Sequence, residues 1–114
     1  MASFNKVILL GNLTREVEMR YTPKGTPIAN FGLAINRVWK SEDGTKKEDV
    51  CFVDCKCFGQ SAENLAKFTK KGHPLHVEGR LDLEEWEDKE SKQKRSKITV
   101  VVEGFQLIKP KDKE

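Results

Sequence analysis

The fold is decided by residues 51–86, which read CFVDCKCFGQSAENLAKFTKKGHPLHVEGRLDLEEW. From Cys51 to Phe58 the residues alternate between an apolar face and an aromatic or charged face, which is the period-two pattern of a half-buried strand. Helical spacing follows, with Ser61 expected to cap the helix, Lys71 in its last turn and Gly72 ending it. Alternation then returns from His73 to Trp86, where the residues expected to point inward are Leu75, Val77, Gly79, Leu81 and Leu83. We therefore expect one helix between two strands.

Further strands surround this stretch, and their order predicts the fold class. They cover Asn5–Leu13, which bends or breaks before Glu18–Tyr21, then Pro27–Arg37, and finally Ile98–Ile108. A polar hairpin loop is predicted from Lys40 to Asp49. Three strands, one helix and two strands predict an all-β fold with one helix, the five-stranded Greek-key barrel of the OB type, over residues 1–108. An open antiparallel α+β sheet is the alternative that the same elements permit.

Composition limits the classes of protein that this chain can belong to. Its 114 residues, 37% hydrophobic and 34% charged, are enough for one compact domain and too few for a two-domain enzyme. The apolar runs are far shorter than the roughly 18 residues of a membrane span, and the N-terminus carries no targeting signal, so we expect a cytoplasmic protein without membrane attachment. The net charge of +3 permits a polyanion partner without requiring one. Residues 109–114 are expected to form a short, charged, disordered tail.

Neither a metal site nor a catalytic site is visible in the sequence. Cys51, Cys55 and Cys57 follow one face of a strand rather than a tight zinc knuckle, so we expect buried, reduced thiols and no metal or cofactor. The carboxylates of residues 84–88 lie on a charged arm, and no nucleophile elbow or phosphate-binding glycine loop is present. We therefore expect no catalytic residues and a protein that is not an enzyme. A small thiol- or metal-dependent enzyme that uses the three cysteines is the alternative.

Four aromatic rings are left outside the core by the alternation: Trp39, Phe52, Phe58 and Trp86. Burying such a ring contributes on the order of 2–3 kcal/mol, so four exposed rings indicate a ligand or a subunit interface. Every nucleobase has a flat π-face, and stacking contributes about 1–3 kcal/mol per base without reading the sequence. Cations beside the rings suit the phosphates, and the candidates are Lys6, Arg20, Lys40, Lys56 and Arg80. Packing of the rings under loops or in a dimer contact is the alternative.

Several motifs taken together resemble one family. Residues 5–13 (NKVILLGNL), 18–25 (EMRYTPKG), 28–31 (IANF) and 77–81 (VEGRL), with Phe58-Gly and Lys71-Gly, resemble the bacterial single-stranded DNA-binding proteins from about residue 2 to residue 108. The resemblance implies a nucleoid-associated homotetramer of OB folds. It also implies that the protein coats single-stranded DNA without sequence preference during replication, recombination and repair.

The resemblance also implies which residues contact DNA. Bases would stack on Trp39, Phe52, Phe58 and Trp86, although Phe52 stands where relatives often have tryptophan, which would weaken stacking. Phosphates would be held by Lys6, Arg20, Lys40, Lys70 and Lys71, and Lys56 adds a charge on the face of Phe58.

Two departures from the family pattern stand out. Relatives often carry basic residues around Trp86, whereas this chain has Asp82, Glu84, Glu85 and Glu87, so binding is expected to be modest or strongly salt-sensitive unless the basic residues of the 89–97 segment compensate. Relatives usually continue to an acidic tail that recruits replication and repair proteins. This chain stops at Glu114, so we expect a truncated chain or a short, phage-type member. The alternative function is a dimeric primosome-type accessory whose acidic arm docks other proteins.

Overall fold

The computed structural model describes residues 1–109 and contains six strands and one helix in that range. The elements are β1 (Val7–Leu13), β2 (Glu18–Tyr21), β3 (Pro27–Lys40), β4 (Lys46–Phe58), α1 (Gln60–Phe68), β5 (Pro74–Glu87) and β6 (Lys94–Leu107). The first predicted strand is broken into β1 and β2, and the rest of the predicted order is confirmed. Residues 110–114 of the predicted tail lie outside the described residues.

The strands close into a barrel. β1 pairs with β5, β5 with β6, β4 with β3 and β3 with β1, all antiparallel, and a short parallel pairing of β4 with β6 completes the ring. The short β2 adds to the edge of β3. Because the ring of five strands is closed, the open α+β sheet is wrong and the five-stranded OB-type barrel is the observed fold.

The core is filled by the inward-facing residues of the barrel strands and by one side of α1. Its largest fully buried side chains include Phe31, Leu33, Leu65, Leu75 and Val77. Gly79 allows β5 and β6 to approach at an irregularity of their pairing, because a Cβ at this position would lie 1.9 Å from the carbonyl oxygen of Val101. The Val-Glu-Gly-Arg-Leu motif therefore contains a glycine that the backbone geometry requires.

Two long hairpins extend beyond the barrel as two-stranded arms. The β3–β4 pairing continues to Lys40 and Lys46, so the loop predicted from residue 40 to residue 49 is only the turn at residues 41–45. The β5–β6 pairing likewise continues to residues 87 and 94. The expectation that Cys51, Leu81 and Leu83 point into the core is wrong, since all three are exposed. Their strands alternate as predicted, but the core ends before the strands do.

Helix α1 is shorter than predicted and begins differently. Gly59, with a φ of 76°, precedes its first turn, and Ser61 lies inside the helix, so the predicted Ser61 cap is wrong. At the other end the buried Thr69 hydroxyl donates a 2.6 Å hydrogen bond to the carbonyl oxygen of Leu65. Lys70 and Lys71 consequently lie in the turn before β5 rather than in the last helical turn. Within residues 1–109 no helix is long and apolar enough to cross a bilayer.

Candidate nucleic-acid interface

All four aromatic rings singled out in the sequence are exposed, from 37% for Trp39 to 73% for Phe52. Phe52 and Phe58 project from the outer face of β4, where Asp54 and Lys56 lie between them. Six residues of extended strand separate the two rings by about 20 Å, which is room for several stacked nucleotides. β4 therefore presents two stacking platforms on one surface.

Trp39 lies on the other face of the β3–β4 arm. The alternation of β3 puts it on the same face as Leu33, and its indole Nε1 donates a 2.9 Å hydrogen bond to Asp49. The Arg37 guanidinium lies 5.5 Å from the centroid of the Trp39 ring on that face. Trp39 was expected on the same outward face as Phe52, and this expectation is wrong. Trp39 is exposed because the core ends before the arm does.

Trp86 lies near the end of the β5–β6 arm, on the outer face of β5 and opposite Arg95 in the pairing. A shallow pocket of about 310 Å³ adjoins it and is lined by Glu85, Trp86, Glu87, Lys92 and Lys94. Two of the acidic residues noted around Trp86, Glu85 and Glu87, therefore share this surface with Lys94 of β6 and Lys92 of the turn before it. Such lysines offset the local negative charge.

The seven predicted phosphate contacts divide into two groups by their ion pairs. Lys6 bonds Glu78 at 3.1 Å, Arg20 bonds Glu18 at 2.7 Å, and Lys56 bonds two carboxylates, described below. No ion pair within residues 1–109 involves the other four side chains, which are Lys40, Lys70, Lys71 and Arg80. Lys40 is at the end of the β3–β4 arm, and the lysine pair occupies the turn between α1 and β5. Among the described residues, the charge of these four cations is therefore not compensated by an ion pair.

A polar groove of about 260 Å³ runs beside Lys56 and is lined by Arg15, Glu18, Arg20, Asn30, Asp54, Cys55, Lys56, Glu84, Lys97 and Thr99. Arg15 was not predicted, and Lys97 was expected only as one of the basic residues of the 89–97 segment; they lie within ion-pair distance of Asp54, at 3.9 and 3.8 Å. The signal available for Arg15 was an acidic residue at position 54 between two exposed rings. Sequence spacing does not bring residues 15, 54 and 97 together, because their proximity depends on the closing of the barrel.

The cysteines differ in their surroundings. Burial raises the pKa of the Cys55 thiol to about 12, and burial also raises the pKa of Cys57. Both thiols stay protonated at neutral pH, so neither supplies the thiolate that a cysteine nucleophile needs. Cys51 is exposed on the β3–β4 arm. Among residues 1–109 no three His, Cys, Asp or Glu side chains are grouped as metal ligands.

A closed five-stranded barrel with exposed rings on its arms is compatible with few protein families. A comparison with known families shows which of them this chain belongs to. The model of the single-strand binding protein family matches residues 4–108. This chain belongs to that family. The match spans all the elements of the barrel and both arms.

Individual proteins with similar sequences support the same family assignment. The single-stranded DNA-binding proteins of Wolinella succinogenes and Helicobacter hepaticus are 50% and 49% identical over 108 residues, which is 95% of this chain and 66% and 63% of theirs. The chain therefore spans just under two thirds of the length of these relatives. The Aquifex aeolicus protein of the same name is 43% identical over 96% of this chain and 74% of its own. A crystal structure of a deletion mutant of the single-stranded DNA binding protein from Thermus aquaticus covers 94% of this chain and 51% of that one, with a TM-score of 0.82 and 32% identity.

Proposed function

We propose that this chain binds single-stranded DNA without sequence preference, and that it protects exposed strands during replication, recombination and repair. The observation that carries the proposal is the set of exposed rings on an OB-type barrel and its arms, above all Phe52 and Phe58 on one strand face. The relatives named as single-stranded DNA-binding proteins support the same function.

Stacking and charge neutralisation are the proposed mechanism. Bases stack on Trp39, Phe52, Phe58 and Trp86, whose π-faces do not distinguish one base from another. Phosphates are neutralised by cations that make no ion pair among residues 1–109, of which Lys40, Lys70, Lys71 and Arg80 are the candidates. Lys6 and Arg20 also join this set, because exposed ion pairs contribute little and exchange readily for a phosphate.

The proposed assembly is a homotetramer. Ile8 and Leu10 are exposed on the outer face of β1, and Leu10 shares a shallow pocket of about 300 Å³ with Pro74 and Ile108. An apolar face of this kind on a charged protein indicates a protein contact. A second copy covering β1 also brings more rings to one DNA strand, including Trp39, which a path along the outer face of β4 does not reach.

Tryptophan fluorescence tests the function directly. Trp39 and Trp86 are the two tryptophans of the chain, so titration with oligo-dT is expected to quench the emission while the matching duplex does not. The logarithm of the affinity is expected to fall with the logarithm of the salt concentration by about 0.7 per neutralised phosphate. Absence of quenching at low salt would contradict DNA coating.

The alternative of a protein-docking accessory has weaker support. It requires the acidic residues of β5 to face a partner, and two of these carboxylates, Asp82 and Glu84, are already bonded to Lys56. Loss of strand binding together with capture of a replication protein would favour that alternative.

A further inference from the structure

Lys56 lies between the two exposed rings of β4, where a cation would be expected to meet the DNA backbone. We propose that Asp82 and Glu84 act as internal substitutes for phosphate: they hold the Lys56 ammonium group in place and withhold it from the DNA. This inference deepens the proposed function and rests on it. According to this inference, the two carboxylates help to set the affinity for DNA. Lys56 then links β4 to β5 instead of contacting a phosphate.

The ammonium group of Lys56 is bonded to two carboxylates, and its side chain is largely buried. Its Nζ lies 3.0 Å from Oδ2 of Asp82 and 2.5 Å from Oε1 of Glu84, and the side chain is 16% exposed. The Thr99 hydroxyl also donates to Oε1 of Glu84 at 3.4 Å. The other ion-paired candidates, Lys6 and Arg20, have one carboxylate each and are far more exposed.

The strand order creates this arrangement. Lys56 is on β4 and both carboxylates are on β5, while β6 lies between the two strands in the sheet. Lys56 is opposite Val101, and Asp82 is opposite Thr99, so the lysine side chain crosses β6 to reach its partners. Val101 and Thr99 point away from the core and are nevertheless buried, as the stem of a crossing lysine requires.

The energetic balance favours the internal pair over a phosphate. Burial by itself lowers the pKa of Lys56, but the hydrogen bonds to Glu84 and Asp82 outweigh it and the pKa is raised. A phosphate that took Lys56 would leave Asp82 without an ion pair among residues 1–109 and Glu84 with only Lys97, which lies 4.0 Å away. Both carboxylates would then lie next to the negative charge of the DNA and repel it, so the exchange is unfavourable.

The cross-link also joins two stacking positions. Phe58 is on β4, 6.0 Å from the Lys56 ammonium group, and Trp86 is two residues beyond Glu84 on β5. Holding β4 to β5 therefore keeps the spacing of these rings constant. In this arrangement a base can stack on Phe58 at the outer face, while the positive charge of Lys56 beside it is already paired with carboxylates.

Salt dependence of oligo-dT binding tests the proposal with four proteins. The triple variant Lys56→Gln, Asp82→Asn, Glu84→Gln is expected to keep the wild-type slope of log affinity against log salt. The double variant Asp82→Asn, Glu84→Gln frees Lys56, so its slope is expected to be steeper than that of the triple by about 0.7. Lys40→Gln removes a lysine that makes no ion pair within the described residues and is the matched control, with a slope shallower by about 0.7 than wild type.

These variants separate Lys56 from general charge effects. The double and triple variants both lack the two carboxylates, so their difference belongs to Lys56 alone. The triple variant replaces the whole cluster with neutral groups and leaves no unpaired charge that would prevent folding. A triple-variant slope as shallow as that of Lys40→Gln would overturn the proposal, because Lys56 would then contact phosphate in the wild-type protein.

Amine labelling provides a test that needs no DNA. In a brief reaction with acetic anhydride, Lys56 is expected to be acetylated more slowly than Lys40, and equally fast in the double variant, as measured by mass spectrometry of the digested protein. Equal labelling of Lys56 and Lys40 in the wild type would overturn the proposal. Failure of the wild-type protein to bind oligo-dT would instead contradict the proposed function and leave the labelling result to decide on Lys56.

Discussion

At the scale of the residue, the two rings of β4 differ from other exposed aromatic side chains by their position. Phe58 is exposed on the outer face of β4, whereas Phe68 is exposed to a similar extent at the end of α1. Only Phe58 shares a surface with a second stacking candidate, Phe52. The exposure of a ring therefore does not by itself mark a binding residue, and its strand face has to be considered.

Phe58→Ala is expected to weaken oligo-dT binding by about 1–3 kcal/mol, because one base loses its stacking partner. That loss corresponds to an increase in Kd of roughly 5- to 150-fold, measured by the tryptophan fluorescence titration. Phe68→Ala removes an equally exposed ring from α1 and is expected to leave Kd unchanged. An equal loss in both variants would contradict the assignment of Phe58.

The buried thiols make the stability of the protein depend on alkaline pH. The pKa of Cys55 is raised from 9.0 to about 12, so the folded state holds the thiol proton more tightly than the unfolded state does. Its contribution to stability is complete below pH 9 and is lost between pH 9 and pH 12, by at most about 1.4 kcal/mol per pH unit. Urea unfolding under reducing conditions between pH 8 and pH 10 measures the loss.

Two variants identify the source of that pH dependence. Cys55→Ala is expected to flatten the fall in the free energy of unfolding, and Cys51→Ala, which removes an exposed thiol, is expected to leave it unchanged. The comparison concerns the slope against pH, so the stability that Cys55→Ala loses through a cavity does not affect it. An unchanged slope in Cys55→Ala would assign the pH dependence to other groups.

At the scale of the element, the period-two pattern predicted the strands well and their ends poorly. Alternation identified β4 and β5, but it continued past the core, so Leu81 and Leu83 were expected inside and are exposed. The turn at residues 41–45 is shorter than the predicted loop because the strands on either side of it remain paired beyond the core. Such strands are polar, so their sequence resembles that of a loop. The helix was recognised, whereas its cap was not, because Gly59 starts it by backbone conformation and without a side-chain hydrogen bond.

Gly79→Ala is expected to destabilise the protein by about 2 kcal/mol or more, because the new Cβ meets the rigid backbone of β6 at the barrel irregularity. Gly104→Ala is the matched control: the nearest atom to its Cβ is Glu78 Cγ at 4.0 Å, so little change is expected. Thermal and urea unfolding of both variants measure the difference. Equal stability of the two variants would contradict the close approach of β5 and β6.

At the scale of the whole molecule, the candidate DNA surface lies on the barrel and on its two arms, and β1 carries an exposed apolar strand face. Ile8 and Leu10 are exposed there among polar neighbours, which supports the proposed contact with a second copy. The same assembly accounts for Trp39, whose face of the β3–β4 arm is opposite to that of Phe58.

Leu10→Glu is expected to reduce the mass of the assembly, because a carboxylate is placed in the apolar contact of β1. Light scattering after size-exclusion chromatography measures that mass. Val38→Glu is the control, since Val38 is also exposed but lies on the β3–β4 arm. The same reduction in both variants, or in neither, would contradict the assignment of β1 as the interface.

The sequence by itself determined the order of the strands and the helix along the chain and the exposed rings, because alternation and helical spacing are local properties of the chain. Only the tertiary structure decided where the core ends, which face of the arm carries Trp39, and which charges are paired. Lys56 reaches carboxylates 26 and 28 residues away across an intervening strand. The parallel pairing of β4 with β6 and the closing of the barrel bring these groups together, and local spacing does not encode that proximity.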